Sequence, residues 1–105
     1  MDMLLKTLAE PKRCEIVRLV WSEERAAADI AAHFPTVTRS AISQHLGVLR
    51  RSGLVRERRE GTRRLYSVDH REVVRLREFL DSFWTDSLEK LRDLAESSEQ
   101  LKGQQ

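Results

Sequence analysis

Residues Thr38–Tyr66 read T-R-S-A-I-S-Q-H-L-G-V-L-R-R-S-G-L-V-R-E-R-R-E-G-T-R-R-L-Y. The first half has helical periodicity. Ala41, Ile42, Leu46, Val48 and Leu49 mostly supply one apolar face, and Arg39, Ser40, Ser43, Gln44 and Gly47 are left to point outward. Thr38 is a favourable N-cap, and Gly53 is the residue expected where the helix stops. The second half changes period. Leu54–Arg59 and Thr62–Val68 read as two strands, and Glu60-Gly61 between them suits a tight hairpin turn.

The two halves carry different chemistry. The outward face of the helix offers the base-reading candidates Arg39, Ser40, Ser43 and Gln44, whose side chains can bond base edges. The hairpin carries Arg56, Arg58, Arg59, Arg63 and Arg64, whose guanidinium groups can neutralise phosphates. Thr38 and His45 join the backbone contacts, although His45 could instead stabilise the turn. One element can specify and the other can hold, and a sequence-specific binder of double-stranded DNA needs both. A short helix followed by a basic hairpin is how a winged helix-turn-helix meets DNA.

Charge follows the same division. Residues 36–68 carry eight basic and two acidic side chains, net +6, and every cation among them is arginine. The flanking segments are net −1 over residues 1–35 and net −3 over residues 69–105. A solvated basic surface is the bland reading. So dense a block points instead to a polyanion.

At 105 residues, 40% apolar and 34% charged, the chain is expected to fold as one domain, residues 1–105, with a modest core. The N-terminus Met1-Asp2-Met3-Leu4-Leu5-Lys6 lacks the form of a signal peptide, and the apolar runs are too short to span a bilayer. A single cysteine, Cys14, excludes an intrachain disulfide framework and fits a reducing cytoplasm.

Outward from the opening stretch, Met3, Leu4, Leu5 and Leu8 make a short N-terminal helix. Pro11 stands at the first turn of a second helix, whose apolar residues run from Cys14 to Trp21. Ala26–Phe34 is expected as a third helix, and Pro35-Thr36-Val37 as the turn before the fourth. Asp69 can cap a long final helix from about His70 to Ser97, with a frayed tail over Leu101–Gln105. The predicted architecture is mainly α with a small β-hairpin: five helices and a two-stranded wing.

This order, with L-A-E-P-K-R-C-E-I-V-R-L-V at Leu8–Val20 and S-A-I-S-Q-H-L-G-V-L-R-R-S-G-L-V at Ser40–Val55, resembles the ArsR family of bacterial and archaeal transcription factors. The hairpin G-T-R-R-L-Y-S-V at Gly61–Val68 fits the same family. F-W-T-D-S-L-E-K-L at Phe83–Leu91 looks most like its metal-independent, SdpR-like branch. The resemblance implies a homodimeric repressor that binds an operator near its own promoter. Two departures stand out. Gly47 occupies a position where relatives usually carry a long, often basic side chain, and the turn Phe34–Thr38 is one residue longer than usual.

The family's thiolate metal site needs two cysteines flanking one residue of the third helix, just before an Asp-hydrophobic pair. Asp29-Ile30 matches that pair, but Ala26 and Ala28 stand at the cysteine positions, and alanine cannot ligate. No histidine or cysteine follows His70, so an N/S zinc site cannot be assembled on the last helix. No metal and no cofactor are expected. Cys14 could serve a redox-responsive repressor, with Lys12 and Arg13 lowering its pKa; the plainer reading is a small buried hydrophobe. His33 reads as a residue packing or capping the end of the third helix, and His70 as a first-turn residue of the last. Nothing resembles a catalytic constellation.

Phe79, Phe83, Trp84, Leu88 and Leu91 make a stripe too wide and long for one small domain. Pairing with the partner's copy, flanked by Met3, Leu4 and Leu8, is the expectation; folding back on the first helix of the same chain is the alternative. A two-fold dimer sets two reading helices about one DNA turn apart, or a multiple of it, which matches a palindrome. The competing class is a winged-helix protein-interaction adaptor, which would usually lack the basic wing. The regulated genes and any small-molecule effector are not encoded in these motifs.

Overall fold

Pro11 opens helix α2 (Pro11–Leu19) at its first turn, and the Glu10 side chain caps it by accepting from the Arg13 backbone N–H. The preceding helix α1 covers Asp2–Leu8. Then come strand β1 (Arg25–Ala26), helix α3 (Ala27–Ala32), helix α4 (Arg39–Arg51), strands β2 (Val55–Glu60) and β3 (Arg63–Val68), and helix α5 (His70–Gly103). The computed structural model describes residues 1–103, and side chains as far as residue 97. It comprises two packing units, Met1–Val74 and Arg75–Gln105.

Helix α4 starts and stops by local chemistry. The Thr38 side chain accepts from the Ala41 N–H at 3.1 Å, so the longer turn does not shift the helix start. At the other end the Ser52 hydroxyl donates to the Leu49 carbonyl at 2.7 Å. Gly53 then turns the chain at φ +85°, where a side chain would be strained. Ile42, Leu46 and Leu49 are buried, and Ala41 and Val48 only partly.

The sheet has a strand that the alternation pattern did not reveal. Its order is β1-β3-β2, antiparallel throughout. β1 pairs Arg25 with Tyr66 and Ala26 with Leu65. Ala26 therefore belongs to this strand and not to the third helix as expected. That helix also ends earlier, at Ala32, with His33 as its C-cap. A two-residue strand has no periodicity to read; it exists because β3 offers it a free edge. The hairpin turn is displaced by one residue from the expected position. Glu60 pairs with Arg63, which leaves Gly61-Thr62 as the turn, and Gly61 takes φ +61° at its first position.

Ile16 of α2, Ile30 of α3 and Leu49 of α4 are fully buried and meet Leu54, Val55, Tyr66 and Val68 from the hairpin side. Each such side chain contributes about 1.5–3 kcal/mol by leaving water. Leu4, expected at a dimer interface, is 5% exposed and belongs to this core. It lies on the inward face of α1, whereas Met3 beside it is 61% exposed. Leu8 is partly buried against the same cluster, as is Val73 near the start of α5.

Within Arg75–Gln105, α5 carries Phe79, Phe83, Trp84, Leu88 and Leu91 exposed to solvent. The Phe83 and Trp84 rings meet edge to face with centroids 6.4 Å apart. The helix continues past the expected end at Ser97 through Gly103. Of the tail expected to fray, Gln104 and Gln105 lie outside the described residues. No helix among the described residues is long and apolar enough to cross a membrane.

Candidate nucleic-acid interface

Burying Ile42, Leu46 and Leu49 fixes the rotation of α4, because residues three and four apart share a face. The opposite face is turned to solvent. Arg39, Ser40, Ser43 and Gln44, the base-reading candidates, are all exposed on it. Their groups suit base edges: amide to adenine, guanidinium to guanine, hydroxyl to either donors or acceptors. Thr38 is exposed at the helix start. Its oxygen accepts the capping bond, which leaves the hydroxyl proton for a phosphate.

His45 does not join that face. Its Nδ1 lies 3.4 Å from Arg13 Nη1 and 3.9 Å from Glu10 Oε2, and its side chain is only 19% exposed. This corrects its assignment to the backbone contacts: one residue past Gln44, the helical rotation carries it onto α2. Arg13 in turn donates from Nε to the Thr7 carbonyl at 2.7 Å, so the same cluster ties α1, α2 and α4 together. Desolvation opposes the Glu10 carboxylate, but the Arg13 N–H and His45 hold its pKa below the ordinary value.

The wing arginines fall into two groups. Arg58 donates from Nε to Glu24 Oε2 at 3.0 Å, from Nη2 to the other oxygen of Glu24, and from Nη2 to Glu60 at 3.1 Å. Arg56 donates from Nε to Asp69 Oδ2 at 3.1 Å. These two, expected as phosphate contacts, are spent on bracing the sheet, although both remain more than half exposed and still add to the field. The others are looser. Arg63 stands 4.0 Å from Asp29 and Arg64 3.9 Å from Glu57, and among the described residues Arg59 makes no ion pair. Glu57 also receives the Tyr66 hydroxyl at 3.4 Å and lies 3.6 Å from Arg50. Burial first, and then Glu57, push the Tyr66 phenol above its ordinary pKa.

Between α3, α4 and the wing lies a hollow of about 370 Å³. Ala26, Ala27, Ala28 and Ala31 form one wall, and Arg39, Ser43, Thr62, Arg63 and Arg64 rim it. The small alanine side chains open this groove, and the arginines make it cationic. Ala26 and Ala28, which the resemblance sets at the thiolate positions of the family's metal site, carry methyl side chains that cannot ligate. Cys14 is turned inward, with its thiol donating to the Leu8 carbonyl at 2.8 Å. His33 Nδ1 lies 2.9 Å from the Asp29 carbonyl at the end of α3. His70 packs edge-on against Trp21 at 5.7 Å.

Sequence reasoning missed Glu24, which precedes β1 and holds Arg58. It also missed the cluster around His45, whose members are far apart in sequence. Neither leaves a local pattern.

A solvent-facing helix bearing hydroxyl, amide and guanidinium groups, set beside a basic hairpin, defines a winged helix-turn-helix DNA-binding protein. Known proteins agree. The sequence model described as "Bacterial regulatory protein, arsR family" matches residues 10–57. The HTH-type transcriptional regulator Rv2034 of Mycobacterium tuberculosis (strain ATCC 25618 / H37Rv) is 38% identical over 96 residues, covering 91% of this chain and 89% of that protein. The transcriptional repressor SdpR of Bacillus subtilis (strain 168) is 30% identical over 69 residues, covering 66% and 76%. Among solved structures, one described as a possible transcriptional regulator for arsenical resistance superposes with a TM-score of 0.73 at 46% identity, covering 87% of this chain and 93% of that one. The chain belongs to the ArsR family of transcriptional regulators. As a member of that family it is a DNA-binding transcriptional regulator and not an enzyme, which speaks against the adaptor reading.

Proposed function

We propose that the protein is a cytoplasmic, homodimeric repressor that binds a palindromic operator and responds to no metal. The observation that carries the reading is the solvent-facing row Ser40, Ser43 and Gln44 of α4, bordered by Arg39, Arg63 and Arg64 on the rim of one groove. Arg39, Ser40, Ser43 and Gln44 read bases. Thr38, Arg59, Arg63 and Arg64 hold the backbone.

The dimer rests on α5. Phe79, Phe83, Trp84, Leu88 and Leu91, 40–61% exposed, form a stripe that a lone chain would leave wet. A second copy covers it. In this reading the whole chain is one DNA-binding domain whose terminal helices pair.

Metal independence rests on chemistry. Two relatives carry arsenical names, the solved structure above and the arsenical resistance operon repressor of Staphylococcus xylosus, which is 32% identical over 81 residues. Arsenite and soft metals need thiolates. This chain has one cysteine, already bonded to a backbone carbonyl, and alanines at both family ligand positions. Among the described residues, no group of three or more His, Cys, Asp or Glu is gathered to hold an ion.

A gel shift on operator and random duplex, with and without zinc, cadmium or arsenite, tests the reading. Selective operator binding that none of the three changes is the expected result. Stoichiometric metal binding coupled to DNA release would overturn metal independence, and equal affinity for both duplexes would overturn base reading.

A further inference from the structure

Gly47 and Arg51 are one turn apart on α4, and the guanidinium of Arg51 folds back over Gly47. A methyl group added at Gly47 would sit 3.2 Å from Arg51 Nη1 and 3.8 Å from its Cζ. Any larger side chain there would take the place the guanidinium now occupies. At 3.6 residues per turn, Ser40, Gln44, Gly47 and Arg51 fall within an arc of about 60°. In projection down the helix axis Arg51 therefore falls between Ser40 and Gln44, on the reading face. Ser40, Ser43, Gln44, Gly47, Val48 and Arg51 together line one surface hollow. Among the described residues no carboxylate pairs with Arg51, whereas its neighbour Arg50 faces Glu57 at 3.6 Å.

Glycine inside a helix costs about 1 kcal/mol relative to alanine, so the residue at position 47 is not there for helix stability. What it provides is access: the backbone of α4 can approach the floor of a groove, and the Arg51 guanidinium can lie over Gly47 on the face that carries Ser40 and Gln44. A planar fork of N–H donors in that position matches the O6 and N7 acceptors of guanine. We propose that Arg51 reads a guanine in each half-site, and that Gly47 is the residue that lets it do so. This rests on α4 being the reading helix.

Selection from randomised duplexes, followed by affinity measurement on the chosen site, tests the proposal with the full chain and its Arg51→Ala, Arg51→Lys and Gly47→Leu variants. The wild type is expected to select guanine at one position of each half-site. Arg51→Ala should lose that preference alone, with affinity for the selected site falling about ten- to a hundredfold for each half-site and random-duplex affinity unchanged within about twofold. Arg51→Lys keeps the charge but loses the fork, so it should recover little of the preference. Gly47→Leu should lose the same preference while melting no lower than the wild type, since leucine is the better helix former. Equal losses for Arg51→Ala on every duplex would make Arg51 a backbone contact and overturn the proposal. So would an unchanged guanine preference in Gly47→Leu. A wild type that selects a site insensitive to Arg51→Ala overturns this inference alone; one that selects no sequence overturns the reading helix with it.

Discussion

Glu24 grips Arg58 by two bonds, one from Nε at 3.0 Å and one from Nη2, and so anchors strand β2 of the wing to the segment just before β1. The bond from Arg58 holds the Glu24 carboxyl below its ordinary pKa of 4.5. A carboxylate with a depressed folded pKa adds stability above its unfolded pKa and loses it as pH falls through the folded value. Glu24→Gln should therefore melt below the wild type at pH 7. That gap should close as pH drops below about 4.5. Thermal melts of both proteins from pH 7 to pH 3 check this, and a constant gap would mean that Glu24 acts by packing alone.

Gln44 is exposed on the reading face, one turn from Ser40. Gln44→Ala should weaken operator binding by about 1–3 kcal/mol and leave random-duplex binding nearly intact. Titrations on the two duplexes decide it. Equal losses on both would move Gln44 from base to backbone.

Arg59, Arg63 and Arg64 are loosely held, while Arg56 and Arg58 are bonded to Asp69 and Glu24. Removing one of the first three should weaken binding to all sequences. It should also flatten the salt dependence by about one unit per lost phosphate contact, doubled in a symmetric dimer. Arg56→Ala should flatten it less. Affinities measured across a salt series give the slope, and an unchanged slope for Arg63→Ala and Arg64→Ala would place the phosphates elsewhere.

Trp84 is 60% exposed and Leu88 58%. Covering a large apolar side chain contributes about 1.5–3 kcal/mol, and interface aromatics are frequent hot spots. Trp84→Glu or Leu88→Glu should give monomers or aggregates and a collapse of operator affinity, although α4 is untouched. Analytical ultracentrifugation at micromolar concentration reads the assembly. A wild-type monomer near 12.2 kDa or a folded monomeric variant with full operator affinity would refute the dimer's role.

The reading helix was legible because its signals are local. Thr38 caps it, Ile42, Leu46 and Leu49 recur at helical spacing, and Gly53 stops it. The hairpin was legible as a hairpin, but its turn was misplaced by one residue. Alternation along two short strands tolerates either register; the Glu60–Arg63 pairing and the positive φ of Gly61 choose between them.

By itself the sequence determined the helix order, the rotation of α4, the density of arginine around it and the absence of paired thiols, since each follows from residue type and spacing. Tertiary structure decided which of those groups are available. It drew Leu4 into the core, turned His45 onto Glu10 and Arg13, committed Arg58 to Glu24, and folded Arg51 over Gly47. The first three depend on contacts between residues distant in the chain. The last depends on a side-chain conformation, and spacing constrains neither.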